Sequence, residues 1–481
     1  MQENPNNNHN EKSMIKKIAI LVPHAERDNT NIEMLDALAK SKGMISKLFY
    51  ISDDIDAFAP DCVIALSPQD AKLTRYPTYG FIDKPTKEYL GLPRYIRNIL
   101  TYDGYITSMS ENAQMLEDLL FGARKLNSLI EPISHLETLH SETLINKGYV
   151  PDPKENPANL PSITYIVRTG GRDRKLLERA LNSLVAQNYP KIHVIFCIYQ
   201  HFNFLDQILQ KYPTLNIQTV QREKSIRSTA ICDGLAAVKT DLFGLFDDDD
   251  ELYPNHIRSL VNTLKYHHNR DWRKDIGMVY SGSIIVDDQN EVYENSEYRD
   301  MKLINRHEKR VIEHFRFYRP DEMSQHNWFM MSNSWLAKSS LIDSELLTDP
   351  RIDTCEDLYF ELLIAQRTHF AFSAEVTSVH HFHHNGATTN STIMDSKKHL
   401  PDTQRIALRN FSRTFAHSLV YDTHYNQVGR PSPTLHYTNP FYPERTPKKS
   451  LKSSYRKFVI NLKYFGLRKA LKKITKHIIG K

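Results

Sequence analysis

Apolar residues fall into two rhythms along this chain, and the rhythms divide it into regions. Short unbroken apolar runs at Ile18 to Val22 (IAILV), Ile45 to Ile51, Cys62 to Leu66 and Tyr105 to Met109 predict buried strands. Residues 31–40, between the first two runs, and 111–124, after the last, carry helical spacing. Strands alternating with helices predict an α/β layer with a parallel sheet over residues 15–147, a smaller Rossmann-like domain. A stretch with four prolines and little apolar character, GYVPDPKENPANLPS, predicts a linker over 148–161. A second series then begins. Ile163 to Val167, Ile192 to Tyr199, Ile217 to Val220 and Thr240 to Phe246 predict strands, with helices over 175–187 and 226–238. In the first of these helices Leu176, Leu177, Ala180, Leu184 and Val185 share the apolar face. Such a series is the pattern of a nucleotide-binding α/β half.

The last predicted strand runs into Phe246 to Pro254, FDDDDELYP, so four consecutive aspartates sit at a strand's C-terminal end. That is where open α/β sheets bind ligands. Adjacent carboxylates repel, and a fold keeps them when a cation or aimed donors offset the repulsion. A hard divalent ion, Mg²⁺ or Mn²⁺, takes oxygen ligands and shares them between one or two carboxylates and substrate phosphates. The competing reading is a solvated acidic turn ahead of a helix starting near Pro254. The first strand, in contrast, is followed by VPHAERDN, which lacks a glycine-rich phosphate loop. The first domain is open between a nucleotide-sugar-type Rossmann unit, an acceptor platform and an oligomerisation domain, with a non-catalytic part favoured.

In this order, ITYIVRTGGR, LLERALNSLVAQNYP, IHVIFCIY, FDDDDELYP, GMVYSGSIIVDDQNEV, TCEDLYFELL and HHFHHNGATT resemble family 2 glycosyltransferases of the GT-A fold, over about residues 161–390. The resemblance implies a GT-A nucleotide-diphospho-sugar transferase domain over 162–400, followed by a connector over 401–447. It implies transfer of a sugar, with inversion, from a nucleotide-diphosphate donor to a glycan or lipid-linked acceptor. FDDDDELYP stands in place of the family's Asp-x-Asp region, which assigns Asp249 to the metal and Asp247 to ribose or metal, with Asp248 and Asp250 in support. Asp357 matches the family's catalytic base, with Glu356 as the fallback. The family often completes its metal site with a late histidine, for which His383 fits best and His381 second. Arg168, Thr169, Arg172 and Arg227 are donor-binding candidates, since guanidinium forks suit phosphates. Trp328 and Trp335, in HNWFMMSNSW, are candidates for stacking on an acceptor sugar, or else core residues.

Two departures bear on the nucleotide. Where the family often has an Asp that holds the base, this chain reads Ile198-Tyr199-Gln200. Where it often has Ala-Arg-Asn before a glycine, this chain reads Ala230-Ile231-Cys232-Asp233-Gly234. A UDP-sugar is favoured, with GDP and dTDP open. A sugar-nucleotide pyrophosphorylase would need a GxGTR-like loop, and Gly170 to Arg172 is too short for one. A catalytically silent glycan- or partner-binding scaffold of GT-A fold is the alternative.

Composition adds context. The 481 residues are 40% hydrophobic and 25% charged, ordinary for a globular chain. No apolar run approaches the ~18 residues of a membrane span. Cys62, Cys197, Cys232 and Cys355 lie far apart, without zinc or disulfide spacing. The first 14 residues are asparagine-rich, expected to be disordered and to carry no secretory leader. From Phe441 to Lys481 there are 13 Lys and Arg against one acid, Glu444, an excess larger than the whole chain's net charge of +5. Within 448–481, Leu451, Tyr455, Phe458, Val459 and Leu462 form one helical apolar stripe. Leu467, Ala470, Leu471, Ile474 and Ile478 form a second. A basic amphipathic tail is expected to lie on an anionic membrane. The expected place is the cytoplasmic face of the cell membrane, as a peripheral protein without nucleic acid partners and with its oligomeric state open.

Overall fold

The computed structural model describes residues 15–22, 30–50, 55–66, 72, 74–90, 99–107, 109–120, 128–129, 136–171, 173–221, 227–268, 276–287, 310–313, 330–343 and 356–382. The expectations placed on 1–14, 401–447 and 448–481 lie outside these residues. Among the described residues no helix is long and apolar enough to cross a membrane.

The first six strands are β1 (Lys17–Val22), β2 (Ile45–Tyr50), β3 (Cys62–Ala65), β4 (Thr78–Phe81), β5 (Gly104–Ile106) and β6 (Ser128–Leu129). They form one sheet in the order β2-β1-β3-β4-β5-β6, parallel at every pairing. Among the described residues the helices beside it are α1 (Thr30–Ser41), α2 (Thr86–Leu90), α3 (Ser110–Leu120) and α4 (Leu136–Asn146). Ile18, Ile20 and Val22 pack with Leu35 and Ala39 of α1, while Ala19 and Leu21 join a separate cluster with Phe49 and Val63. This alternation is the period of two that a strand buried on both faces requires.

The second sheet begins with β7 (Ile163–Thr169), β8 (Ile192–Ile198), β9 (Asn216–Gln221) and β10 (Leu242–Asp247). It continues with β11 (Glu251–Leu252), β12 (Ile276–Asp287), β13 (Arg310–Glu313), β14 (Trp335–Lys338) and β15 (His369–Phe382). Its order is β11-β15-β12-β14-β10-β7-β8-β9, with β13 paired to β12. β10, β7, β8 and β9 run parallel, whereas β14 is antiparallel to both β10 and β12. Among the described residues its helices are α5 (Arg174–Val185), α6 (Leu205–Lys211), α7 (Arg227–Ala237), α8 (His256–His268) and α9 (Glu356–Ala365).

Side-chain alternation along β7 and β10 sorts the helices between two faces. Ile163, Tyr165 and Val167, with Leu242 and Phe246, pack with Leu177, Leu181 and Leu184 of α5 and Leu260 of α8. Ile166, with Phe243 and Leu245, packs on the other face with Ile231 and Leu235 of α7 and Leu358 and Leu362 of α9. Leu358 and Leu362 turn inward, and Phe360, Glu361, Leu363 and Ile364 are buried too, so most of α9 is enclosed. Close approach of α7 explains Gly234: an added Cβ would stand 2.5 Å from the Cys197 sulfur and 2.6 Å from Ile166.

The predicted linker is not slack. Glu155 pairs with Arg258 and, at 2.5 Å, with Lys265, both on α8. The Asn188 side chain donates to Gly148 O at 3.3 Å, and Asn255 donates to Lys147 O at 3.0 Å. Between the sheets, the Lys147 ammonium lies 3.3 Å from Glu375.

Candidate active site

The strand order reverses beside β7. The chain steps from β7 outward to β8 and β9, then returns through α7 to β10 on the other side. The crevice at the C-terminal ends of β7 and β10 is thus a topological switch point, the usual ligand site of such sheets. In the register Asp247 is the cross-strand partner of Arg168. Both follow the alternation onto the α7/α9 face, and one residue further Thr169 and Asp248 turn to the opposite face.

The contacts obey that geometry. Arg168 Nη2 donates to Asp247 Oδ1 at 2.5 Å, and Nη1 donates to Glu356 at the start of α9. The Ser332 hydroxyl donates to the other oxygen of Asp247 at 3.0 Å. On the far face the Thr169 hydroxyl donates to Asp248 at 2.7 Å while accepting from the Gly171 N–H at 3.1 Å. Gly171 has φ +62, which suits glycine at this turn. Arg179 of α5 donates to the backbone carbonyl of Asp249 at 2.5 Å and lies 3.6 Å from Glu251.

β11 fixes the other end of the acidic run. It pairs antiparallel with β15, Glu251 opposite Val379. One step further along this register brings Asp250 to His380, whose Nδ1 lies 3.0 Å from Asp250 Oδ1. That oxygen also accepts the His381 N–H at 3.0 Å, and His381 Nε2 stands 2.6 Å from Glu251. Burial works against a charge on His380, but Asp250 beside it, with Asp249 and Asp247 near, raises its pKa to about 9. Burial likewise acts to raise Glu251, yet the bond from His381 and the charges of His381 and Arg179 hold it below the usual range.

Asp248, Asp249 and Asp250 are only 5%, 3% and 0% exposed, so the run is not a solvated acidic turn. Asp248 and Asp250 are anchors, each held by named donors. Among the described residues no three His, Cys, Asp or Glu side chains converge closely enough to hold a metal ion alone. The donor chemistry nevertheless suits a hard cation. Buried carboxylate oxygens, the hard ligands such an ion takes, crowd one strand end. A cation taking one or two carboxylates and completing its shell with phosphate oxygens needs no third protein ligand.

Several expectations shift. Arg168 does not reach outward to phosphates: its side chain is 1% exposed and both terminal nitrogens are taken by carboxylates. Trp335 is no acceptor wall. It is fully buried, stacked on Phe360 at 5.9 Å, with its indole N–H donated to Glu361 at 3.2 Å. His381 addresses Glu251, and the histidine on the aspartate run is His380, which the family pattern did not single out. Strand alternation within VHHFHH contained that information, but only the β11 register selects it. Ser332, Arg179 and Glu251 carried no signal in the sequence. Arg172, Trp328, His383 and the side chain of Arg227 lie outside the described residues.

Asp357 opens α9 beside Glu356 and accepts the Leu358 N–H at 2.8 Å. A helix N-terminus by itself favours an ionised carboxylate. Instead burial, then the neighbouring Glu356, with a smaller part from Asp247, raises its pKa despite Arg168. A base poised nearer neutrality is better matched to proton transfer than an ordinary aspartate.

One turn further, Glu361 is fully buried with Oε2 unpartnered, and burial raises its pKa well above the usual value. The sign follows from proton counting. Below the ordinary carboxylate pKa, Glu361 is protonated in both states and costs nothing. Between that value and the raised folded one, only the folded state holds the proton, so stability falls by up to ~1.4 kcal/mol per pH unit. Glu361→Gln is expected to flatten that fall. Urea denaturation at pH 5 and pH 7.5 checks it, and equal losses in both proteins would refute a neutral Glu361.

Residues 161–293 match the family described as glycosyltransferase like family 2. Among solved structures, residues 1–349 of S. aureus TarS in complex with UDP-GlcNAc show 13% identity, covering 56% of this chain and 76% of that one, with a TM-score of 0.35. The mannosyltransferase PcManGT from Pyrobaculum calidifontis, in complex with GDP-Man and Mn²⁺, shows 15% identity over 68% of this chain and 83% of that one, TM-score 0.37. Against the longer S. aureus TarS structure the identity is 13%, over 62% of this chain and 47% of that one, TM-score 0.31. No curated protein matches the chain. Residues 161–293, which hold the switch point and its aspartates, are thus similar in sequence to the glycosyltransferase family 2 model.

Proposed function

We propose that the chain is an inverting, metal-dependent glycosyltransferase that moves a sugar from a nucleotide-diphosphate donor, a UDP-sugar by preference, to a glycan or lipid-linked acceptor. The observation that carries this reading is the gathering of Asp247 to Asp250 with Glu356 and Asp357 at one switch point, from parts of the chain about a hundred residues apart. The acceptor hydroxyl attacks the anomeric carbon from the face opposite the diphosphate. A carbon–oxygen bond forms, the bond to the diphosphate breaks, and the nucleoside diphosphate leaves with the electron pair. Asp357 takes the hydroxyl proton. Asp249, with Asp247, would hold Mn²⁺ or Mg²⁺, which supplies charge neutralisation for the departing diphosphate. Asp248 and Asp250 keep the turn in place through Thr169 and His380. The domain limits 15–147 and 162–400 belong to this reading, with the first domain as a platform.

The test is a panel of UDP-, GDP- and dTDP-sugars with Mn²⁺, read by thermal shift and by release of nucleoside diphosphate. A ligand that binds only the folded state raises the melting temperature by mass action. If no nucleoside diphosphate shifts melting in the presence of Mn²⁺, the reading fails.

The acceptor class and location rest on the tail. A basic amphipathic segment at 448–481 suits an enzyme that extends lipid-linked surface polysaccharide, capsule or lipopolysaccharide, from the inner face of a bacterial membrane. Each Lys or Arg near an anionic surface contributes on the order of 1 kcal/mol. Removing 448–481 is expected to abolish co-sedimentation with phosphatidylglycerol vesicles, and raised salt is expected to weaken binding of the full chain. Equal sedimentation of both proteins would refute the membrane role.

A further inference from the structure

The most deeply buried cation at the crevice does a task that neither donor binding nor metal binding explains. The Arg168 side chain is 1% exposed, and its guanidinium bridges two elements that are far apart in sequence. Nη2 holds Asp247 at the end of β10, Nη1 holds Glu356 in the first turn of α9, and Nε is buried with no partner. We propose that Arg168 and Glu356 form a clamp that positions Asp357 against the donor carboxylate Asp247. The proposal rests on the function proposed above, which makes Asp357 the base.

Three observations lead there. First, the alternation of β7 and the register with β10 put Arg168 and Asp247 side by side on the face that α9 covers, so the bridge reaches the first turn of that helix. Second, a carboxylate bound to a buried guanidinium is not free to approach an acceptor. Glu356 is 8% exposed at its side chain, while the half-buried Asp357 follows it by one residue. The pair therefore divides the work: Glu356 anchors and Asp357 reacts. Third, a guanidinium is suited to this by its planar fork, which takes two carboxylates at fixed angles, as an ammonium does not. Its charge also offsets the two acids beside Asp357. Arg168 and Glu356 are positioning residues in this scheme, and the reacting group is Asp357 alone.

The experiment uses the full chain, Mn²⁺ and whichever nucleotide sugar of the panel is turned over fastest. Glu356→Ala removes the anchor. It is expected to lower kcat roughly 10- to 100-fold, the cost of a misplaced catalytic group. The Kd of the matching nucleoside diphosphate with Mn²⁺ is expected to stay within about twofold, because Arg168 keeps its bond to Asp247. Glu356→Gln retains an amide oxygen that accepts from Nη1 and is expected to recover most of the lost kcat. Arg168→Lys is expected to lower kcat without matching loss of nucleotide affinity. Should Glu356→Ala fail to fold, the glutamine and lysine variants carry the test.

If Glu356→Gln loses as much as Asp357→Asn, Glu356 carries the proton and the clamp is wrong. If kcat and nucleotide affinity fall in step, Arg168 and Glu356 serve donor binding, and the clamp is again wrong. A native kcat in Glu356→Ala overturns it as well. A native kcat in Asp357→Asn strikes the underlying reading instead, which keeps the two failures apart.

Discussion

Asp249→Ala is expected to lower sugar transfer by at least ~100-fold, the scale of losing one preorganised electrostatic contact to a developing charge. The same variant is expected to melt no lower than the parent in the absence of metal. Asp249 is 3% exposed and flanked by Asp248 and Asp250, so removing its charge relieves repulsion within the run. Backbone ties that hold the turn survive: Arg179 still reaches the carbonyl of residue 249, and the β11 pairing to β15 is untouched. What disappears is the melting shift produced by Mn²⁺ with a nucleoside diphosphate. Lost turnover with an unchanged melting shift would move the metal away from Asp249, and native turnover would remove the site altogether.

Asp357→Asn is expected to lower kcat by ~10²- to 10⁴-fold, the range of a general base. The amide is isosteric and its oxygen still accepts the Leu358 N–H, so α9 keeps its first turn. Nucleotide affinity is expected to hold. In the parent, activity needs the ionised base and is lost as the pH falls through its pKa. Burial and the acids beside Asp357 raise that pKa, so the acid limb of the kcat profile lies above the ordinary aspartate range. Asp357→Asn removes the limb. A variant that keeps both native kcat and the limb would refute the assignment.

The pattern of residues was enough to place the parallel core of both sheets. β1, β2, β3, β7, β8, β9 and β10 each fall within a residue or two of the apolar runs that announce them. β4 and α4 escaped, for local reasons. β4 is interrupted by Gly80, where an added Cβ would stand 2.3 Å from the Tyr102 ring, so the strand's apolar signal is cut. α4 buries His140 and Thr143 along with Leu136 and Leu139, which breaks the apolar stripe. Trp335 shows the same limit at the site. Its neighbourhood is equally consistent with a sugar platform or a core position, and packing on Phe360 and Phe243 settles it as core.

The sequence by itself determined that four aspartates end a buried strand and that an acidic pair opens a later helix, because strand and helix periods are local and each window carries its own evidence. Tertiary structure alone decided which partners those acids have. Arg168 meets Asp247 through strand register, Glu356 through the docking of α9 on one sheet face, and Asp250 meets His380 through the antiparallel pairing of β11 with β15. Register and docking are set by packing between segments up to 188 residues apart. No window of sequence contains both members of such a pair, so the charges that tune the site become visible only when the sheet is assembled.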